Sequence, residues 1–349
     1  MRRVAIVVGA FLLLVVSLRS YGQQPAPSSQ ADLVGTWTLT ASEPGEDRGG
    51  RGGDETPVAG RGQGDGAAAR GRGGARGQGA NLKGLLIFDG AGHAFEMITR
   101  TSMPQPAGAA QPLSEQQLRF AMSGGFWGSY KVDGPMKTMT FQPEGAVSPN
   151  MMGRQITRSF ELAGDRLTIV YTGSEHYAPA GTRWTFERIP TVDNVLGPTY
   201  RKVIGFWQHV VEKRVNLTTG VTLSETRRAP SIIVYTPSGY VGVHFPPLNR
   251  QKFASDAPTD AEARAALQGY VGYFGALSVY PNMVFHQILT GISFAGGTTL
   301  KRPLELSGDE VTIKFPPTTN PQGQQTSTLV TLHRLSGETA MIPARDRSR

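Results

Sequence analysis

The chain repeats itself, and that repeat constrains the fold more than any other feature of its 349 residues. Val34-Gly35-Thr36-Trp37 returns as Ile204-Gly205-Phe206-Trp207. Leu85-Leu86-Ile87-Phe88, followed by the turn Asp89-Gly90-Ala91-Gly92, returns as Ile232-Ile233-Val234-Tyr235 with Thr236-Pro237-Ser238-Gly239. Gly125-Phe126-Trp127-Gly128 returns as Gly272-Tyr273-Phe274-Gly275, at the same separation of 147 residues. Further on, the run Glu161 to Ile169 matches Glu305 to Ile313, and Thr185 to Arg188 matches Thr331 to Arg334. The first match is separated by 170 residues, so copy one holds 23 extra residues between Trp37 and Leu85.

Those extra residues fall in a Gly/Arg-rich stretch, 43–80, which is an insertion into a loop of copy one. Its six arginines are matched by six acids. It therefore has no net positive field with which to displace counterions from phosphate. Almost no apolar bulk is present to offset the entropy of ordering, so a disordered loop is expected. The net charge of +8 shrinks once Arg2, Arg3 and Arg19 are set aside with the N-terminus, and the remainder is thinly spread. No nucleic-acid partner is expected.

Arg2 and Arg3 precede the apolar run Val4 to Val16, and Ser20-Tyr21-Gly22 offers small residues at a cleavage site. Residues 1–22 thus read as a signal peptide, with the mature chain periplasmic or secreted and free of an integral membrane span. With no cysteine, disulfides and thiolate chemistry are excluded. The domains are then copy one at 31–190, a short breaker-rich linker, copy two at 200–336, and a disordered tail at 337–349.

Within each copy, runs of four to eight residues rich in Val, Ile, Thr, Phe and Tyr alternate with Gly/Asp/Pro/Ser turns. One helix interrupts them. Thr259 to Glu262 has capping-box spacing, and Ser114 to Gln117 is its counterpart. The expected fold is all-β: two separate antiparallel barrels in tandem, each with one short helix.

On these residues, copy two most closely, each half resembles the lipocalin-like domain of many bacterial and some fungal proteins. The marks are Gly205-Phe206-Trp207, Ile233 to Tyr240, Phe253-Ala254-Ser255 and Gly269 to Gly275. The resemblance implies that each Gly-x-Trp tryptophan packs across the closed end of its barrel beneath an arginine from the last strand. Trp37 with Arg188 and Trp207 with Arg334 fill those roles, as barrel-closing residues. It also implies a small, mostly apolar ligand held in a cavity.

Motifs for chemistry are lacking. There is no Gly-x-Ser-x-Gly and no His-Glu-x-x-His. His209, His244 and His286 stand on three predicted strands, but copy one has Leu39, Met97 and Met139 or Thr140 in the corresponding places, and no metal or other cofactor is expected. Glu212, Tyr240, His244, Tyr270, Tyr273 and His286 are the candidate ligand-binding residues. Val243, Phe245, Phe274, Leu289 and Ile292 are candidate apolar walls. The function expected is binding without catalysis. The alternative is an isomerase- or cyclase-type enzyme acting on a small hydrophobic substrate in copy two, with His286 and a tyrosine or Glu212 moving the proton.

Overall fold

The structure, a computed structural model, describes residues 29–43, 81–101, 112–173, 175–192, 197–227 and 230–343. The signal segment and the insertion from 44 to 80 lie outside the described residues. Copy one begins with a helical turn, α1 (Gln30–Leu33), and β1 (Gly35–Glu43). It continues through β2 (Leu82–Phe88), β3 (His93–Arg100), the helix α2 (Glu115–Ala121), β4 (Ser123–Asp133) and β5 (Thr138–Ala146). The strands β6 (Ile156–Ala163), β7 (Arg166–Tyr171) and β8 (Arg183–Ile189) complete it. Each strand pairs antiparallel with the next and β8 returns to β1, so the sheet closes and has no free edge.

Copy two repeats the plan. It runs through α3 (Pro198–Val203), β9 (Gly205–Asn216), β10 (Thr222–Thr226), β11 (Ile232–Tyr235), β12 (Tyr240–Phe245) and α4 (Asp260–Leu267). Then come β13 (Val271–Tyr280), β14 (Met283–Gly291), β15 (Thr299–Ser307), β16 (Glu310–Lys314), β17 (Thr318–Thr319) and β18 (Gln325–Gly337). Pairing of β9 with β18 closes eight of these strands into a second barrel. The short strands β10 and β17 prolong the wall beside β9 and β18 at the far end. Both helices expected from the capping boxes form. Ser114 and Thr259 each accept from the backbone three residues on, and Gln117 and Glu262 reach back.

The period-two alternation of the strands has consequences on both faces. Inside barrel 1 lie Trp37, Leu86, Phe88, Phe126, Phe141, Ile169 and their neighbours. The opposite faces of β2, β3 and β4 are also apolar: Leu85, Ile87, Phe95, Met97 and Trp127 pack against Ile204, Phe206, Ile232, Val234 and Phe274 of copy two. The doubled aromatics of each copy are explained here, since Phe126 and Tyr273 face inward while Trp127 and Phe274 face the other barrel. At Gly242 a Cβ would stand 2.6 Å from the Phe95 ring, so only glycine lets the two walls approach this closely.

Two expectations are therefore corrected. The barrels are not separate bodies; a shared core joins them, extended by Phe120 and Val147 against Phe253, Ala263, Ala266 and Tyr270. The chain beyond 336 is ordered as far as 343. Gly337 ends β18, α5 (Glu338–Met341) follows, Met341 is buried in the seam, and Gly90 N donates to Ala340 O (2.8 Å). An apolar anchor holds that segment, which composition alone did not reveal.

Candidate functional site

Each barrel has one closed end, built identically. Gly35 and Gly205 take φ of +138° and +139°, a region open to glycine, and so turn the chain from the helix into the first strand. Two residues on, Trp37 Nε1 donates to Leu33 O (2.9 Å) and Trp207 Nε1 to Val203 O (2.6 Å). The guanidinium of Arg188 lies 4.0 Å from the Trp37 ring centre, and that of Arg334 lies 4.1 Å from Trp207. Arg334 also donates to Ile204 O (3.0 Å), Lys202 O (2.7 Å) and Asp309 Oδ1 (2.9 Å). It thereby satisfies the last carbonyls of α3 while covering the indole. Arg188 does the same with Val34 O, Asp32 O and Asp165.

The far ends differ. In barrel 1 the segment 175–182 folds over the opening, and Tyr177 and Ala178 are buried in the barrel core. Beneath it Arg158, fully buried, is held by two carboxylates. It donates to Glu96 through Nη1 and Nη2 and to Glu175 through Nε (3.1 Å) and Nη2 (2.8 Å). The Tyr177 hydroxyl lies 2.6 Å from both Glu96 and Glu175, and Tyr171 donates to Glu96 (3.3 Å). Burial raises the Glu175 carboxyl despite the Arg158 charge beside it. None of these residues was singled out from the sequence. The signal was present, however: Glu96 alternates with Ala94 and Ile98 on the inward face of β3, where an ion demands a partner.

Barrel 2 carries a different polar group. His286 accepts or donates at both ring nitrogens, to Tyr235 OH (3.2 Å) and Tyr273 OH (2.8 Å). Burial, aided by the charge of Arg302, pushes the imidazole down to about 3, so it is neutral. Burial likewise drives both phenols well above their ordinary range. Arg302 itself points inward, since it pairs with Val284, and stacks on Phe315 at 4.5 Å. Around the end remote from Trp207, Phe245, Val271, Phe294, Leu300 and Phe315 pack on the barrel core yet stay only partly buried.

Of the six candidate ligand contacts, the structure brings Tyr273 and His286 together inside barrel 2. Glu212 shares their inward face by register with Val330, farther along toward the end remote from Trp207, and is half-buried. Tyr240, His244 and Tyr270 belong elsewhere. Tyr240 packs on the seam, and His244 lies on the outward face of β12, where Nε2 donates to Glu96 O of barrel 1 (2.8 Å) and Nδ1 accepts from Tyr270 OH (2.6 Å). Strand parity separates them from the cavity: Val243 and Phe245 face inward, so His244 cannot. For the same reason Phe274 and Ile292 sit in the seam, and Leu289 is exposed. His209, His244 and His286 do not converge, and among the described residues no group of His, Asp and Glu side chains is arranged for a metal ion.

A cleft of about 500 Å³ lies over the covered end of barrel 1, lined by Ser148, Arg154, Thr157, Glu175, His176 and Asp256 among others. Met151 and Ile156 share the lining with these polar side chains. No helix among the described residues is long and apolar enough to cross a membrane.

Two closed eight-stranded antiparallel barrels, each sealed by a Gly-x-Trp strand under a stacked arginine, define a tandem lipocalin-like architecture. Residues 68–189 and 204–335 match the lipocalin-like domain family, and the chain belongs to that family, with two copies. No curated protein matches it. Among solved structures, a protein of unknown function from the DUF3598 family of Nostoc punctiforme shares 10% identity; 88% of this chain and 100% of that one are covered, with a TM-score of 0.16.

Proposed function

We propose that barrel 2 holds one small, mostly apolar molecule without converting it, and that barrel 1 is a filled barrel that buttresses it. The observation that carries this reading is the unequal treatment of the two open ends. At the far end of barrel 2 the rings of Phe245, Phe294 and Phe315 stay partly buried beside Val271 and Leu300, whereas the partly buried apolar side chains of barrel 1, such as Leu39 and Ile156, are all aliphatic. In barrel 1 the corresponding end is covered by the segment 175–182. A barrel of eight strands has room for one small ligand, and an apolar wall with a few placed polar groups is the usual lining.

Holding is favoured over turnover by the state of His286. A general base works best with a pKa near the operating pH, and burial takes this imidazole down to about 3. The apolar N-terminal run supports an exported setting, where such a carrier would meet its ligand outside the cytoplasm.

The test is titration of the full chain with N-phenyl-1-naphthylamine, a neutral probe that fluoresces in apolar surroundings. Saturable, one-to-one enhancement is expected, reduced when Ile288→Phe narrows the interior of barrel 2. Absence of saturable binding to folded protein overturns the reading.

A further inference from the structure

The two barrels carry the same inward arginine in opposite company. The repeat that aligns Glu161 to Ile169 with Glu305 to Ile313 also aligns Arg158 with Arg302. The sheets agree, because Arg158 pairs with Met139 on β5 and Arg302 with Val284 at the same place on β14. In barrel 1 the guanidinium is neutralised by Glu96 and Glu175. In barrel 2 the place of Glu96 is taken by Val243: Glu96 pairs with Leu86 on β2 as Val243 pairs with Ile233 on β11. Among the described residues no carboxylate lies within ion-pair distance of Arg302. It donates to the Lys301 carbonyl (3.2 Å) and stacks on Phe315.

The aromatic positions have changed in the complementary sense. Phe141 meets both Phe88 and Phe126 inside barrel 1, and the Arg158 guanidinium lies 5.4 Å from the Phe126 ring and 5.2 Å from that of Phe141. The matching positions in barrel 2 are Tyr235, Tyr273 and His286, which form the hydrogen-bonded chain; strand pairing matches His286, opposite Leu277, to Phe141, opposite Tyr130, and not to Met139 or Thr140 as the sequence spacing suggests. Thus barrel 1 supplies its own anions, with the Tyr171 and Tyr177 hydroxyls already bonded to Glu96. Barrel 2 withholds the anions and presents hydroxyl groups.

We propose that barrel 2 selects ligands bearing a carboxylate, which is bound by Arg302 together with one phenol of the Tyr235–His286–Tyr273 chain. The proposal rests on the reading of barrel 2 as the binding barrel and gives its ligand a head group.

Donor counting supports it. A neutral imidazole has one N–H and one acceptor nitrogen. One tyrosine therefore donates to His286 and the other accepts from it, which leaves that second phenol with its own hydrogen to give. A guanidinium offers a planar fork matched to a carboxylate. The charge also selects. One uncompensated positive charge is neutralised by a monoanion, whereas a dianion would leave an excess charge in a poorly solvated interior. The rim of Phe245, Val271, Phe294, Leu300 and Phe315 then suits the hydrocarbon part of an amphipathic acid.

The experiment is isothermal titration of the full chain with decanoate and with 1-decanol, which share a chain and differ in head group. Decanoate is expected to bind at least about tenfold more tightly, the low end for a charge-assisted hydrogen bond. R302M, which keeps the apolar stem, is expected to remove that preference and leave decanol binding within about threefold. Y273F serves as a second variant should R302M fail to fold, and is expected to weaken decanoate more than decanol. Equal affinity of the wild type for the two ligands overturns the carboxylate inference alone. Equal loss of both ligands in R302M also overturns it, since Arg302 would then act through packing. If neither ligand binds folded wild-type protein, the binding-barrel reading fails with it.

Discussion

Replacing His244 by glutamine isolates one of three imidazoles that the fold keeps neutral. Burial pushes His176 and His244 down to about 4 and His286 to about 3, all below the ordinary value of 6.5. A histidine depressed on folding stabilises fully above its unfolded value, and that stability is lost as pH falls from about 6.5 toward the folded value. Between pH 7 and pH 5, each such residue removes roughly 2 kcal/mol, because the unfolded chain takes up the proton that the folded chain refuses. Three of them together remove about 6 kcal/mol, a large share of the 5–15 kcal/mol typical of folded domains. Three groups oppose the trend. Burial lowers His93, but its hydrogen bond to Asp89 and the charges of Asp89 and Glu144 together outweigh that and raise it, and burial raises Glu144 and Glu175. Net loss is therefore smaller than 6 kcal/mol, and the informative quantity is a difference between proteins. Glutamine at 244 can still donate to Glu96 O and accept from Tyr270, the two bonds His244 makes, without titrating. Urea unfolding followed by fluorescence of the four buried tryptophans reports stability at each pH. The loss between pH 7 and pH 5 is expected to be smaller in H244Q than in wild type by about 2 kcal/mol. Equal losses in the two proteins would refute the claim that the seam holds this imidazole neutral.

Two further outcomes follow from the packing. Trp207→Ala and Arg334→Ala each destabilise copy two, but in a double-mutant cycle their losses are expected to fall short of additive by about 0.5–3 kcal/mol, as for other contacting pairs; additive losses would separate the two residues energetically. Phe95→Ala empties the ring that fills the space over Gly242, and is expected to cost about 3–5 kcal/mol by denaturant unfolding. A loss under about 1 kcal/mol, the scale of an ordinary surface change, would mean that the shared core contributes little.

The repeat, the strand pattern and both capping boxes were legible in the sequence because each depends on residues close together in the chain. Four-residue motifs and period-two alternation are local, so the two barrels could be anticipated, whereas the stacked pairs Trp37–Arg188 and Trp207–Arg334, each joining distant residues, followed only from the family resemblance. The candidate site was legible only in part. Tyr273, His286 and Glu212 do face the interior of barrel 2, whereas Tyr240, His244 and Tyr270, expected there too, belong to the seam. The reason is that a strand such as Ile232-Ile233-Val234-Tyr235 is apolar throughout, so alternation could not say which face was the barrel interior and which met a second barrel. Only the closed sheets fixed that parity. They alone gathered Glu96, Arg158, Glu175 and Tyr177 from three separate stretches into one buried ionic group, and left Arg302 inward without such a group. The sequence by itself determined that two barrels form. Tertiary structure decided that they share a core and that the segment 175–182 covers one end of barrel 1, because those outcomes depend on which residues meet across the chain.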